Sequence, residues 1–563
     1  MKNIIDLRII IACIGILSLF ACNEDKGNYN YEMINKVTEI IGIQEDYTVE
    51  VGEQLMITPK IETNLNSTDN LDYTWYYKNG SAWNVLQKGK DLDFVIANPI
   101  GTPNVTYTCA FEVKNDITDV AYRQVFNIRV SGIFNRGYIL LYDKEDEFDM
   151  GMIIQNSQNQ CIPKYDILAS TAPSLQREGV KPYGLNVFAD PTAPHPFQSD
   201  GSNCSVYLLT DHYTTRLKVS DFSWNSSYDI YNSVEYDSPI YQDYVAAGKT
   251  IIPKKMRVSF NIVNGIRKPR IYIFLKEDNG KGNWYLHNIS PVYYFFSHPM
   301  NAYRTGNSVY DSKRYEPAPF ISCGKKMTMF FNQEKNRFCF QSMQFNAATM
   351  GTSFFFTKNF TDDSTDHIFN FESSNEGLLY MGERYTDINK MTAFAFLKQS
   401  DGTFKYIEYD MPSSTTELVK KDNKLRMCYF DTSTGIDRAK FIAAAPEPNN
   451  VFIYYATEDN RVFYADVSGS NAVIREITND VVSEGYNEIT SLKFMIPSTD
   501  NKYLCIATYN SSLKNKGGKV DFYEMKSVSS GDISIARHKI NEEETIEMSW
   551  KNFGKIVDID YKP

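Results

Sequence analysis

Between residues 138 and 524 one figure recurs seven times: a short apolar run, a polar turn, and a second apolar run. The paired runs are 138–142 with 150–154, 206–210 with 216–219, 270–275 with 284–289, 327–331 with 337–341, 391–397 with 404–409, 451–456 with 461–466, and 503–508 with 518–524. Turns such as Asp278-Asn279-Gly280, Asp401-Gly402 and Glu458-Asp459-Asn460 hold residues that accept positive φ, so each pair reads as a hairpin. Hairpin starts lie 68, 64, 57, 64, 60 and 52 residues apart. Spacing this regular is what radial repetition of four-stranded sheets produces, and it predicts a β-propeller of about seven blades over 132–563. The closing run 555–560 then serves as a strand shared with the first blade, which removes exposed sheet edges. An array of several sandwiches is the alternative reading of the same spacing.

The fold class is all-β. Helical periodicity is nearly absent, and the 39 Tyr and 35 Phe favour strands. Ahead of the repeats, residues 38–131 read as one small β-sandwich. Runs 47–51 and 54–59 flank the turn residue Gly52, 71–77 places Trp75 in a central strand, and 104–113 and 121–130 complete the pattern. A Trp in an early strand and a Tyr two residues before Cys109 resemble immunoglobulin-like packing. The early strand Leu55-Met56-Ile57 offers no partner cysteine, so the closer resemblance is to PKD-like modules, which lack the inter-sheet disulfide. Such modules are mostly spacers.

The N-terminus carries an address. Lys2 and Arg8 precede an apolar run, 9–20, that is too short to span a bilayer. Leu19-Phe20-Ala21-Cys22 resembles a bacterial lipobox. That resemblance implies a signal peptide over 1–21, cleavage before Cys22, lipidation of Cys22, and a flexible tether over 22–37. The acidic cluster Asn23, Glu24 and Asp25 is similar to the signal that displays Bacteroidetes lipoproteins on the outer face of the cell.

The formal net charge is −11, and losing Lys2, Arg8 and Asp6 with the leader makes the chain slightly more acidic. An acidic chain without a basic run argues against nucleic acid as a partner. After Cys13 and Cys22, seven cysteines remain, widely spread and without a CxxC pair. Buried free thiols are the expectation for them.

No catalytic motif stands out. There is no G-x-S-x-G, H-E-x-x-H, phosphate loop or sialidase-type box. His195, His212, His287, His298, His367 and His538 are not at metal-ligand spacing. The carboxylates Asp143, Glu145, Asp146, Glu147 and Asp149 fall at the first hairpin's turn and read as a solvated acidic loop. Asp362, Asp363 and Asp366 beside His367 lack calcium-loop spacing. No cofactor or metal is expected. Two aromatic stretches, 291–299 and 353–356, exceed what strand alternation needs, and at a propeller mouth such rings stack on sugar or peptide. Burial within strands is the plainer reading of both.

Anchor, acidic tail, the start Asp25-Lys26-Gly27-Asn28-Tyr29-Asn30-Tyr31, the sandwich, the repeats and the ending Gly554-Lys555-Ile556-Val557-Asp558 together resemble the PKD-like family lipoproteins of Bacteroidetes. The resemblance implies a non-enzymatic accessory lipid-anchored to the outer membrane and facing the exterior. Its expected partners are a SusC/SusD-like TonB-dependent transporter and other surface lipoproteins, and its expected ligand is an oligopeptide or glycan. A surface propeller hydrolase or lyase acting on glycans, and an adhesin, are the alternatives. Binding residues are not assigned.

Overall fold

The computed structural model describes residues 34–562 except 103–104, 133, 135, 156–160, 190–203, 235–239, 264–265, 289–298, 306–308, 325–326, 347–350, 355–357, 360–375, 388–389, 411–423, 447–450, 484, 497–501, 528–532 and 540–546. It divides into two compact units, one ending at Val130 and one beginning at Ser131.

The first unit is a β-sandwich. One sheet runs in the order Asp46–Glu50, Ala121–Ser131, Val105–Asn115, Leu71–Asn79, Ala82–Lys88. Two ribbons, Val37–Ile41 with Lys60–Thr63 and Gln54–Ile57 with Leu92–Val95, supply residues to the same core. Trp75 is completely buried against Phe111 and Phe126, with ring centroids 4.4 and 5.8 Å away. Its indole N–H donates to Gly89 O at 3.1 Å, so burial leaves no polar atom unsatisfied. Leu55 and Ile57 fill the early strand's inward positions, and Cys109 is a buried free thiol.

The second unit is a seven-bladed propeller. Each expected hairpin forms the second and third strands of one blade, as Gly137–Lys144 with Glu147–Gln155 and Phe452–Thr457 with Val462–Asp466 show. The first strand of each blade is the inner one: Lys555–Lys562, Pro182–Ala189, Lys255–Val263, Ser322–Cys323, Gly377–Asp387, Ala439–Ala444 and Glu488–Met495 for blades 1 to 7. A separate ribbon, Ala302–Thr305 with Val309–Arg314, lies outside these sheets.

Seven apolar cores separate the blades, and they close a circle. Ile139, Met150 and Leu208 join blades 1 and 2; Leu209 and Ile273 join 2 and 3; Phe274 and Phe330 join 3 and 4. Phe331 and Ala395 join blades 4 and 5; Phe396 and Ile453 join 5 and 6; Tyr454 and Ile506 join 6 and 7. Tyr138, Leu140, Phe522, Ile556 and Ile559 then join blade 7 back to blade 1. The hairpin strands bury both faces, which explains their unbroken apolar runs; neighbouring residues such as Ile139 and Leu140 serve opposite cores.

The C-terminal strand closes the ring as expected. Lys555–Lys562 pairs antiparallel with Gly137–Lys144, matching Leu140 with Ile559 and Gly137 with Lys562. A bulge leaves Val557 between the pairs Leu141–Asp558 and Tyr142–Ile556. Gly554 makes this approach possible, because a Cβ there would meet Asp143 O and the Tyr142 ring. Among the turns, Asn336, Gly402 and Asn460 take φ of 46°, 86° and 61°, the conformation their residue types suggested.

Candidate functional site in the propeller channel

The inner strands surround the propeller axis, and among the described residues no further strand pairs with the backbone N–H groups of their axis-facing edges. Blade 1 answers for blade 2. Asp558 Oδ2 accepts the Leu185 N–H, and Asp560 Oδ2 accepts the Val187 N–H, each at 2.8 Å. Their other oxygens accept the N–H groups of Ile559 and Tyr561, each at 2.9 Å. From blade 7, Lys493 Nζ donates to Ile559 O at 3.0 Å and to Asp558 Oδ1 at 3.3 Å. From blade 3, Arg257 Nη2 pairs with Glu383 Oε2 of blade 5 at 2.6 Å. Glu383 Oε1 accepts the Cys323 N–H of blade 4 at 2.5 Å. From blade 6, Lys440 Nζ reaches Ile489 O at 3.4 Å.

The result is a charged belt of Arg257, Lys493, Glu383, Asp558 and Asp560. Protein surrounds the belt: Glu383 is almost fully buried, and Lys493 keeps part of its side chain exposed. Burial pushes the Asp560 carboxyl up, opposed by Lys493. Burial also acts to lower Lys493, but Asp558 and Asp560 outweigh it and hold the ammonium above its ordinary value. Tyr380 shares the field of Arg257, Glu383 and Lys493, and burial raises its phenol. The belt's carboxylates accept hydrogen bonds from backbone or cations, so it binds blade to blade and offers a fixed pattern of charge to anything entering the channel. Among the described residues, no group of three His, Cys, Asp or Glu side chains could hold a metal.

The residues singled out in the sequence fare unevenly. Cys22, Asn23, Glu24 and Asp25 lie outside the described residues. So do 291–298, Phe355, Phe356, Asp362, Asp363, Asp366, His195, His298 and His367. Ser353 and Phe354 pair with Gln344 and Met343 as strand. His287 lies opposite Ile271 in blade 3, and His212 sits on a turn with Nδ1 2.7 Å from Asp211 Oδ1. Cys323, Cys428 and Cys505, like Cys109, are buried free thiols, as expected, and Cys339 is buried too. Burial pushes Cys109, Cys323 and Cys428 up to about 12.

The acidic loop of the first hairpin is corrected. Asp149 is fully buried rather than solvated. Its Oδ1 accepts the N–H groups of Met150 and Leu168, and its Oδ2 meets Arg177 Nη1 at 2.7 Å. Glu147 pairs with the same Arg177 at 2.8 Å, and Asp143 pairs with Lys181 at 3.0 Å. The alternation Phe148-Asp149-Met150, a carboxylate inside an apolar run, was the available signal.

Two further arrangements escaped sequence reasoning. Glu408, almost fully buried, lies 3.3 Å from Arg384 Nη2 and 3.0 Å from Arg426 Nε, and Tyr406 donates to it at 2.8 Å. Tyr503 OH lies 3.2 Å from His538 Nε2, and His538 Nδ1 contacts Glu524. This trio sits by the packed seam of blades 7 and 1, where burial pushes the Tyr503 phenol up to about 12. At neutral pH the phenol therefore stays protonated.

A model of the PKD-like family matches residues 22–172, less than half of the chain, running from Cys22 through the sandwich into blade 1. No curated protein matches the sequence. Among solved structures, a Quinonprotein alcohol dehydrogenase-like protein from Bacteroides thetaiotaomicron is 9% identical, with 94% of this chain and 99% of that chain covered and a TM-score of 0.32. Hsv2 of Kluyveromyces lactis is 9% identical over 72% of this chain and 96% of its own, with a TM-score of 0.35. PorZ, a surface component of the type-IX secretion system of Porphyromonas gingivalis, is 9% identical over 92% of this chain and 65% of its own, with a TM-score of 0.16. At such TM-scores the architecture rests on the strand order and the seven cores themselves.

Proposed function

We propose that this chain is a lipid-anchored, surface-exposed accessory of the outer membrane, a non-enzymatic ligand-binding or scaffold subunit of a SusC/SusD-like TonB-dependent uptake complex. The observation that carries the reading is where the PKD-like match starts: Cys22, the residue that the lipobox makes the first of the mature chain. A PKD-like sandwich leading into a propeller suits a surface or secreted accessory protein. The channel belt supports binding or scaffolding, because its carboxylates are engaged in joining blades. An oligopeptide, with its own charges, or a glycan, with its hydroxyls, is the ligand class offered.

The test is gentle solubilisation of the native outer membrane and capture of this protein. Recovery of a SusC/SusD-like pair in constant ratio supports the proposal. Recovery of the protein alone refutes the uptake-complex role and turns attention to glycan cleavage and adhesion.

A further inference from the structure

One end of the sandwich presents apolar side chains where turns ordinarily present polar ones. Ile34 is 50% exposed, Leu65 38%, Ile117 74% and Val120 47%. They come from three segments: the entry to the first strand, the loop before Leu71–Asn79, and the turn between Val105–Asn115 and Ala121–Ser131. Three asparagines lash these segments together. Asn64 Nδ2 donates to Ile34 O at 3.1 Å while its Oδ1 accepts the Lys36 N–H at 2.7 Å. Asn35 Nδ2 donates to Ser67 O at 2.8 Å, and Asn115 Nδ2 donates to Asn35 O at 3.1 Å. Asn115 Oδ1 accepts the N–H groups of Ile117 and Thr118 at 3.0 and 3.1 Å, and Asp116 N–H donates to Asn70 O at 2.9 Å. With the backbone so held, the apolar side chains stay outward, although exposing them to water is unfavourable.

The position of this tip says what covers it. The described chain enters at Ile34, within the tip, and the last strand leaves the sandwich at Ser131, at the opposite end from Val120. Residues 23–33, 11 in number, separate Ile34 from Cys22. Fully extended they reach about 40 Å, so a lipid on Cys22 keeps the tip within that distance of the bilayer. Charge supplies no attraction to an anionic surface: Lys114 is paired with Asp119 at 2.5 Å, and the same segments carry Asp69 and Asp116 beside the one lysine Lys36. We propose that this tip seats Ile34, Leu65, Ile117 and Val120 in the lipid surface to which Cys22 tethers the chain, so that anchor and tip form two attachment points. The inference rests on the lipid-anchor part of the proposed function. A tip seated in the same surface as the anchor fixes the sandwich at two points and so restricts its tilt.

The experiment uses the full-length lipidated chain in vesicles of phosphatidylethanolamine and phosphatidylglycerol. An environment-sensitive fluorophore is placed on Ile117→Cys and, as a control away from the tip, on the exposed Thr102→Cys, with labelling of the parent chain subtracted. Both sites are on the surface, so the fold is kept. Mass analysis of the N-terminal peptide first establishes lipidation of Cys22. The expected result is a blue-shifted Ile117→Cys label with iodide quenching reduced severalfold, an unchanged Thr102→Cys label, and no dependence on the phosphatidylglycerol fraction. A lipidated, vesicle-bound chain whose two labels quench alike overturns the tip assignment and leaves the anchor standing. An unlipidated chain overturns the anchor and the tip assignment with it. Protection in native membranes but not in vesicles overturns the lipid assignment in favour of a protein partner.

Discussion

Ile559 tests whether the C-terminal strand closes the ring. Its side chain is fully buried in the core between blades 7 and 1, opposite Leu140. Ile559→Ala removes that packing and leaves a cavity, at a cost of about 2–5 kcal/mol. Domain stabilities run at about 5–15 kcal/mol, so this is a large share. Val557, the half-buried bulge residue in the same strand, is the internal control. Val557→Ala removes about two methylene equivalents from a partly buried site, about 1 kcal/mol. Hydrogen exchange read by mass spectrometry assigns the loss to segments. At about 1.4 kcal/mol per factor of ten, Ile559→Ala speeds exchange roughly 30- to 3,000-fold in the segments that open. Those segments are Gly137–Lys144, Lys555–Lys562 and Glu488–Met495, whereas Leu71–Asn79 in the separate sandwich unit keeps its protection. Exchange unchanged in blade 1, or raised equally in the sandwich, refutes closure by this strand.

Three further outcomes are expected. Asp149→Ala leaves Arg177 half-satisfied and two buried N–H groups without their acceptor, and costs about 3–5 kcal/mol, read as a fall in the denaturant midpoint of the propeller. Burial lowers His538 below its ordinary 6.5, so the folded chain binds fewer protons there than the unfolded chain. Its contribution is therefore present above pH 6.5 and is lost as pH falls below it, and stability measured from pH 7 to 5 has a shallower slope in His538→Leu. Cys109, Cys323 and Cys428, fully buried and with thiols raised to about 12, resist alkylation at neutral pH in the native protein and react once it is denatured, which intact-mass analysis counts.

The parts of the fold that were legible are those whose chemistry is local. A hairpin strand buried on both faces must be apolar at every position, as Ile271 to Leu275 are, and its turn must contain residues that tolerate positive φ. The inner strands were not legible, because they face a core on one side and charges on the other. Lys255–Val263 alternates Lys255, Arg257 and Asn261 with Met256 and Val258, the pattern of any half-buried strand, which does not by itself say which sheet it joins or that it lines the axis. Outer strands were hidden for another reason: Cys161–Lys164 is short and contains Pro163, which an edge strand permits because its outward N–H has no partner to lose. The solvated reading of Asp149 failed because a carboxylate within reach of a turn looks alike in sequence whether Arg177 lies beside it or not.

The sequence by itself determined the all-β class, the sandwich with its buried Trp75, seven hairpins in order, and a C-terminal strand suited to the first blade. Each follows from the free energy of burying neighbouring side chains and from backbone preferences at turns, which act over a few residues. Only the tertiary structure decided which blade faces which and what the channel holds. Asp558 accepts the N–H of Leu185, 373 residues away, because ring closure brings the last strand beside blade 2. Arg257 meets Glu383 across 126 positions for the same kind of reason. Charges at that separation carry no periodic signature; their pairing is fixed by where the cores place the strands.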